Sequence, residues 1–381
     1  MNKKRNVKLM YAIIFLQGFV FYGPVATLFR QARGLAMSEI FIIETISWIV
    51  LVALEVPWGW ISDRFGYKKT LIIVNVVFVA SKIVFYMSHS FESFLIERIL
   101  LAIVFSGLSG CDSALIYASI DESEAQNVFG KYSAFGTLGL LIASILSSFI
   151  VSRSLENTAL FTIFPYVLAA MLTFFLVDIK VEKSKNVHVI DSFKTAFSDK
   201  SIILFVVSIA LIIEVFQAVT VFLNQLQYVR SGIDPKYFGV ILAVILGMGL
   251  FADKASKVSK KLGNIRAIYI LNFLVVVSCM ALILTTSKII SIMGIVMISL
   301  SVALMGPIEN DIKNKKIDDS ERVTVLSIYS MVGGLIASIC NIFIGKAADY
   351  SLVMGLSICA AISVMAFILM IVYFRINKIK S

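Results

Sequence analysis

Residues 59–69 read Gly-Trp-Ile-Ser-Asp-Arg-Phe-Gly-Tyr-Lys-Lys and are expected to form the loop where two long apolar stretches meet. Residues 256–266, at an offset of 197, form a second copy in a comparable position. The matched pairs are Ser62 with Ser259, Arg64 with Lys261, Gly66 with Gly263 and Lys69 with Arg266, whereas Lys260 replaces Asp63. An internal repeat of this kind predicts that the chain consists of two related halves.

The composition indicates that most of the chain lies in lipid. Of the 381 residues, 59% are hydrophobic and 15% are charged, and the mean hydropathy is +0.93. A soluble domain is about 45–50% apolar and about 25% charged. A single soluble core stops growing near roughly 250–300 residues, so it would not hide this much apolar surface. The same numbers exclude a disordered chain, a coiled coil and a secreted disulfide scaffold.

Twelve apolar segments approach the length of about 20 residues that a membrane helix needs. They lack the two-residue alternation of barrel strands, which favours helices. The first is too long for a signal peptide and is expected to be retained. We therefore predict an all-α polytopic membrane protein with an N-terminal bundle over 1–178, a linker over 179–200 and a C-terminal bundle over 201–381. The segments are 9–29, 38–60, 70–88, 93–117, 131–151, 159–177, 201–229, 237–252, 267–286, 289–308, 323–344 and 352–374.

The positive charges orient the chain in the membrane. Of the 34 Lys and Arg residues, 25 fall in alternate connections that include both termini, and 7 fall in the other connections. Positive residues concentrate on the cytoplasmic side, so both termini are predicted to be cytoplasmic. The net charge of +10 is spread over seven short stretches, which argues against a nucleic-acid-binding face.

The stretch at 59–69 and the twelve segments resemble the major facilitator superfamily of secondary transporters. Residues 109–117 and 322–327 are similar to bacterial drug-exporter-like members. The resemblance implies two six-helix bundles around a cavity that opens alternately to each side of the cell membrane, and a monomer. It also implies a cytoplasmic gate that closes by ion pairs. The residues assigned to the gate are Glu55, Gly59, Asp63, Arg64, Gly66, Lys68 and Lys69.

A glycine pattern associated with antiporters in this superfamily is only partly present in the fifth segment. Its spacing falls on the small residues Gly130, Gly139, Ala143 and Ser144, but the proline and the last glycines are missing. Small residues let two membrane helices approach closely. The pattern therefore predicts helix packing and gives weaker support to antiport.

Charged side chains inside a bilayer are costly and raise a functional hypothesis by default. Glu44, Asp112 and Glu214 are the candidates for proton coupling, because burial favours the neutral form of a carboxyl group. Lys82, Glu97 and Arg98 are the candidates for buried charge partners. Internal ion pairing without a transport role remains an alternative for each of them.

Two polar faces are candidates for contact with a substrate. Arg30 and Arg33, which follow the first segment, are instead expected at the outer interface. Hydrogen bonds between helices, with no substrate role, are the alternative for every residue of these faces. The candidates are Gln17 and Tyr22 in the first segment, next to the Gly23-Pro24 break, and Gln217, Asn224, Gln225 and Tyr228 in the seventh.

The sequence contains no phosphate-binding loop, no metal-ligand spacing and no catalytic triad, so we expect no ATP motor, metal, cofactor or enzyme activity. The leading hypothesis is export of small, partly apolar molecules by proton antiport, as in multidrug efflux. A proton-coupled symporter that imports a small nutrient is the alternative. The sequence leaves open the substrate, the direction of transport, the coupling ion with its stoichiometry, and the oligomeric state.

Overall fold

The computed structural model describes residues 3–179, 200–314 and 322–379, which are almost entirely helical. The predicted linker falls largely on 180–199, outside the described residues. Eight α-helices precede this gap: α1 Lys3–Gln17, α2 Ala26–Ala32, α3 Met37–Phe65, α4 Tyr67–Met87, α5 Phe91–Leu108, α6 Cys111–Tyr117, α7 Ala125–Val151 and α8 Leu155–Thr173. Eight follow it: α9 Lys200–Gln217, α10 Asn224–Arg230, α11 Phe238–Met248, α12 Ala255–Leu262, α13 Asn264–Leu284, α14 Lys288–Asn314, α15 Arg322–Tyr350 and α16 Leu352–Ile379.

Eleven helical stretches of the described chain are long and apolar enough to cross a membrane. The helix α1, with 15 residues, is shorter than these. The prediction of an all-α, multi-pass membrane protein is therefore confirmed. Helices suit this environment because they satisfy their own backbone hydrogen bonds where no water is present.

Three predicted segments differ from the helices observed. The first is interrupted between α1 and α2, where a 3-10 turn covers Gly23–Val25. The fourth breaks between α5 and α6, because Gly110 takes a φ of +86° that L side chains rarely adopt. The eighth was expected to end at Asp253-Lys254 but continues through a 3-10 turn into α12, since both charged side chains are exposed.

The loop expected at 59–69 is not a loop, and this prediction was wrong. The helix α3 runs to Phe65 and α4 begins at Tyr67, so only Gly66 separates them. Gly66 has φ +86° and ψ 151°, a region essentially restricted to glycine. The second copy is built alike, with Gly263 at φ +77° between α12 and α13. In each copy, one glycine changes the direction of the chain without a loop.

The described helices fall into two compact units. The first is drawn from Met1–Leu35, Ile43–Lys185 and Pro235–Ala243, and the second from Ala36–Ile42, Asn186–Asp234 and Val244–Ser381. In the first unit, α1 packs on α7 and α8, and α4 packs on α5 and α8. In the second, α9 packs on α15 and α16, and α13 packs on α14 and α16. The two units therefore repeat the same set of helix pairs.

The core of the first unit supports the site described below. Trp58, Val74, Phe78 and Tyr166 belong to one buried cluster contributed by α3, α4 and α8. Gly107 on α5 faces Val74 and Trp58 so closely that a Cβ atom there would overlap them. This close approach fixes the helices that carry Phe78 and Tyr166.

Candidate functional site

An open cavity of about 620 Å³ lies within the first unit and is lined by residues of α1, α4, α5, α6, α7 and α8. Four aromatic rings line it, and Asp112 is the single charged side chain among its described lining residues. Cavities of roughly 300–1,000 Å³ with apolar walls and few polar groups are typical of small-molecule sites. The rings are those of Phe78, Phe105, Tyr132 and Tyr166.

The break between α5 and α6 places Asp112 at the cavity. Because α6 starts anew at Cys111, Asp112 stands in its first turn, where a negative charge is favourable. The hydroxyl of Tyr132 donates a hydrogen bond to Oδ2 of Asp112 at 2.9 Å, and the backbone N–H of Ser113 donates to Oδ1 at 2.6 Å. The carboxylate is half-buried and held in one orientation.

Gln17 also lines the cavity, at the point where α1 ends. Its Nε2 donates to Oδ1 of Asn75 on α4 at 2.8 Å. The hydroxyl of Tyr166 donates to the backbone carbonyl of Gln17 at 2.6 Å. The other candidate of this segment, Tyr22, lies outside the lining and accepts a hydrogen bond from Nζ of Lys82 at 2.9 Å. The structure therefore separates Gln17 from Tyr22.

Lys82 is buried behind the aromatic wall of the cavity. Its Nζ lies 4.9 Å from the ring centroid of Phe78, 4.8 Å from that of Tyr166 and 5.4 Å from that of Tyr22. The negative faces of aromatic rings attract a cation at such distances. Because Phe78 and Tyr166 also line the cavity, Lys82 packs against two of its aromatic rings without lining the cavity itself.

The other predicted charge partners form ion pairs in the first unit. Arg98 pairs with Glu44, and Arg30 pairs with the fully buried Glu97 at 3.8 Å. The expectation that Arg30 lies at the outer interface was wrong, because its side chain is only 6% exposed and also lies over the ring of Phe85. A buried ion pair compensates part of the cost of removing both charges from water.

The gate residues are only partly described. The side chains at positions 59 and 63 lie outside the described part, so the role of Asp63 stays a prediction. Glu55 is exposed, and the carboxylate of Asp178 lies against Gly66. Asp178 was not found by sequence reasoning, because its proximity to Gly66 depends on the packing of distant segments. Of the three basic candidates, Lys68 is half-buried, while Arg64 and Lys69 are exposed.

The polar face expected on the seventh segment is divided. Gln217 is exposed, whereas Glu214, Asn224, Gln225 and Tyr228 are buried. A π-helix over Ala218–Leu223, with more residues per turn than an α-helix, changes the spacing between the residues before it and Asn224, Gln225 and Tyr228 after it. The backbone N–H of Gln225 donates to Oδ1 of Asn224 at 2.8 Å. Oε1 of Glu214 has no hydrogen-bond partner among the described residues.

A buried polar cluster next to this face was missed. Nε2 of Gln227 donates to Oγ of Ser291 at 2.8 Å and to the carbonyl of Thr285 at 3.1 Å. Oγ of Ser291 lies 2.7 Å from Oγ of Ser231. These groups satisfy one another, which indicates helix packing and not a binding site. Gln227 is not one of the residues of the predicted polar face, so the sequence contained no indication of this cluster.

The small residues of α7 lie at close helix contacts, with one exception. Gly139 faces the backbone of Phe15 on α1 and of Gly18 just after it, with no room for a Cβ atom. Ser144 faces Gly239 at the start of α11, within the first unit, and Ala143 is fully buried. A Cβ atom at Gly130 would meet no described atom within 4 Å. The small residues of the pattern therefore allow close helix packing at Gly139, Ala143 and Ser144, but not at Gly130.

Comparisons with known proteins identify a family across most of the chain. The protein-family model described as Major Facilitator Superfamily matches residues 9–340 of the chain. The methyl viologen resistance protein SmvA of Salmonella typhimurium is 23% identical over 166 residues, which are 43% of this chain and 33% of that protein. The probable 4-methylmuconolactone transporter of Cupriavidus pinatubonensis is 24% identical over 137 residues, 36% of this chain and 31% of that protein. The matched stretch is therefore about a third of each relative.

Solved structures share the fold at low identity. The nucleoside transporter NupG superposes with a TM-score of 0.81 at 13% identity, over 99% of this chain and 100% of that chain. A bacterial homologue of the human lysosomal transporter Spinster, in an inward-facing and unoccupied conformation, superposes with a TM-score of 0.76 at 11% identity, over 98% of each chain. At this identity the likeness concerns the fold alone.

Proposed function

Because the chain belongs to the Major Facilitator Superfamily, we propose that this transporter exports small, partly apolar cations by proton antiport with alternating access. It acts as a monomer in the cell membrane, with both termini in the cytoplasm. Two features of the sequence support the orientation and the energy source: the excess of Lys and Arg in alternate connections, and the lack of a phosphate-binding loop.

The observation that carries this proposal is the cavity of the first unit. It combines one carboxylate, Asp112, with the rings of Phe78, Phe105, Tyr132 and Tyr166. Aromatic faces attract cations and stack on planar apolar molecules. A planar cation therefore suits the cavity better than an anion, which Asp112 would repel. The name of the relative SmvA, a methyl viologen resistance protein, agrees with a cationic substrate of this kind.

Coupling follows if protonation of a buried carboxylate and binding of the cation favour opposite directions of access. Asp112 and Glu214 are the stronger candidates, because Glu44 is already paired with Arg98. A carboxylate that neutralises a partly buried arginine gains little from binding a proton instead, since protonation would leave the arginine unpaired. The gate at Gly59–Lys69 closes the cytoplasmic side during the cycle.

Import by symport is the second candidate function. The relative named as a probable 4-methylmuconolactone transporter carries a small organic compound, and no feature of the cavity fixes the direction of movement. Both candidates require a proton-driven change of access around the same cavity, so transport measurements must separate them.

Everted membrane vesicles from cells that produce the chain provide the test, with methyl viologen as the probe. A lumen made acidic relative to the bath should drive accumulation of the probe. Asp112→Asn should abolish this accumulation, while Tyr117→Phe, on the same helix but outside the cavity, should not. Uptake only in right-side-out vesicles under an inward proton gradient would instead establish import.

A further inference from the structure

The offset of 197 that relates the two gate copies also relates buried polar residues of the two units. It pairs Gln17 on α1 with Glu214 on α9, and Asn75 on α4 with Asn272 on α13. In each unit the first helix loses regular α-helical geometry shortly after the paired residue, at the end of α1 and at the π-helix after α9. The same helix pairs surround both positions. Gln17 with Asn75, and Glu214 with Asn272, therefore occupy equivalent places.

In the first unit this place is occupied by a complete hydrogen-bond pair. Nε2 of Gln17 donates to Oδ1 of Asn75 at 2.8 Å, and Nδ2 of Asn75 donates to the carbonyl of Leu71 at 2.8 Å. Both side chains are buried. Gln17 carries no titratable group, so this pair persists at any pH.

In the second unit the equivalent groups lack partners. Glu214 is 2% exposed and Asn272 is 0% exposed. Oε1 of Glu214 and both amide atoms of Asn272 make no hydrogen bond to any described residue. Unmade hydrogen bonds are expensive in a buried site, so two such groups in equivalent places indicate an interaction that forms in another state.

No described cation neutralises Glu214. The helices α15 and α16, which pack on α9, carry the buried thiols of Cys340 and Cys359. The third helix packed on α9 is α14, which carries its charged residues toward its ends, at Lys288 and within 309–313. The carboxyl of Glu214 is therefore buried among apolar and thiol side chains, and burial without a cation disfavours the charged form of a carboxyl group.

We propose that Glu214 and Asn272 form the proton-binding pair of the transporter. The protonated carboxyl of Glu214 donates its O–H to Oδ1 of Asn272, as Nε2 of Gln17 donates to Oδ1 of Asn75 in the first unit. In this state Nδ2 of Asn272 donates to the carbonyl of Ile268, the counterpart of Leu71, just as Nδ2 of Asn75 donates to Leu71, so only Oδ1 faces Glu214. Loss of the proton then leaves two acceptor oxygens against each other and releases the pair. The first unit thus holds permanently the bond that the second unit makes only when protonated. The inference rests on the proposed antiport and names the residues that carry its proton.

Infrared difference spectra of the purified full chain in lipid bilayers, recorded during a pH titration, provide the test. A carboxyl C=O band should disappear as the pH rises, and Glu214→Gln should lack that component. Asn272→Ala should weaken proton binding by roughly 2- to 10-fold, because the protonated form loses its acceptor. Asn272→Ser, which keeps an oxygen acceptor, should fall between, and it replaces the alanine variant if that variant does not fold.

Two control variants test whether Asn272 is the specific partner of Glu214. Asn75→Ala removes the equivalent amide of the first unit, and Asn341→Ala removes another buried oxygen without a partner, on the adjacent α15. Neither should shift the titration. A band that persists in Glu214→Gln, or a shift in Asn341→Ala in place of Asn272→Ala, would overturn the pair. These readouts need no substrate, so they can succeed or fail independently of methyl viologen transport.

Discussion

The hydroxyl of Tyr132 on α7 donates a hydrogen bond to Oδ2 of Asp112 on α6 at 2.9 Å, across a cavity that both residues line. The two residues are 20 positions apart and reach each other because α5 breaks at Gly110. The bond gives the carboxylate a fixed direction while leaving it partly exposed. A charged group held in this way is preorganised for a ligand, since it need not be ordered during binding.

Tyr132→Phe should weaken cation transport without abolishing it. The variant keeps the aromatic ring but removes the donor that orients and stabilises the charged carboxylate of Asp112. We expect KM for methyl viologen to rise roughly 3- to 10-fold, with a smaller change in maximal rate. Initial rates of uptake into everted vesicles measure both quantities. An unchanged KM would show that this bond contributes nothing to binding.

We expect that breaking the ion pair of Glu44 and Arg98 changes the stability of the protein and not its proton coupling. Arg98→Met should lower the free energy of unfolding by about 1–3 kcal/mol, because it leaves the partly buried Glu44 carboxylate without its cation. The double variant Glu44→Leu with Arg98→Met should regain most of this loss. Thermal unfolding of the protein in detergent measures the difference in Tm.

The same double variant tests the role of Glu44 in transport. If Glu44 is only the partner of Arg98, proton-driven uptake of methyl viologen should continue in the double variant. Loss of uptake in a variant that is as stable as the wild type would return Glu44 to the coupling mechanism.

The helical fold followed from hydropathy alone, because bilayer thickness sets the length of each apolar segment. The interruptions within the predicted helical segments could not be derived from hydropathy. Gly23-Pro24 marks one of them by its chemistry, whereas Gly110 looks like any glycine in an apolar run until its φ of +86° is known. The π-helix at Ala218–Leu223 carries no residue that identifies it, and it changes the helical spacing assumed for Asn224, Gln225 and Tyr228.

The candidate site was predicted in part for a related reason. Asp112 and Gln17 were identified because polar groups are rare in the membrane, but their neighbours Tyr132 and Tyr166 were hidden among the many aromatic residues. Arg30 was misplaced because sequence position put it beside a segment end, while packing against Phe85 and Glu97 buries it. Which face of a helix meets which neighbour depends on helix rotation, and one sequence does not determine it.

Gly139→Ala and Gly130→Ala on α7 should have opposite effects. A methyl group at position 139 would overlap the backbone carbonyl of Phe15, which cannot move without shifting α1, so a loss of about 1–3 kcal/mol is expected. At position 130 the methyl group meets no described atom, and alanine is the better helix former by roughly 0.5–1 kcal/mol. Thermal unfolding in detergent compares the two variants. Equal effects would contradict the close approach of α1 and α7.

Asp63→Asn should slow transport while leaving expression intact, because the proposed gate needs a negative charge at this position to form its ion pairs. The second copy supplies the control, since Lys260 stands where the first copy has Asp63 and has no such role. A partly solvated ion pair contributes up to about 1 kcal/mol, so a roughly two- to fivefold reduction in rate is expected for Asp63→Asn. Lys260→Asn should transport at the wild-type rate. Initial rates, normalised to the amount of protein in the membrane, provide the measurement. Wild-type rates in Asp63→Asn, or equal losses in both variants, would contradict a gate confined to the first copy.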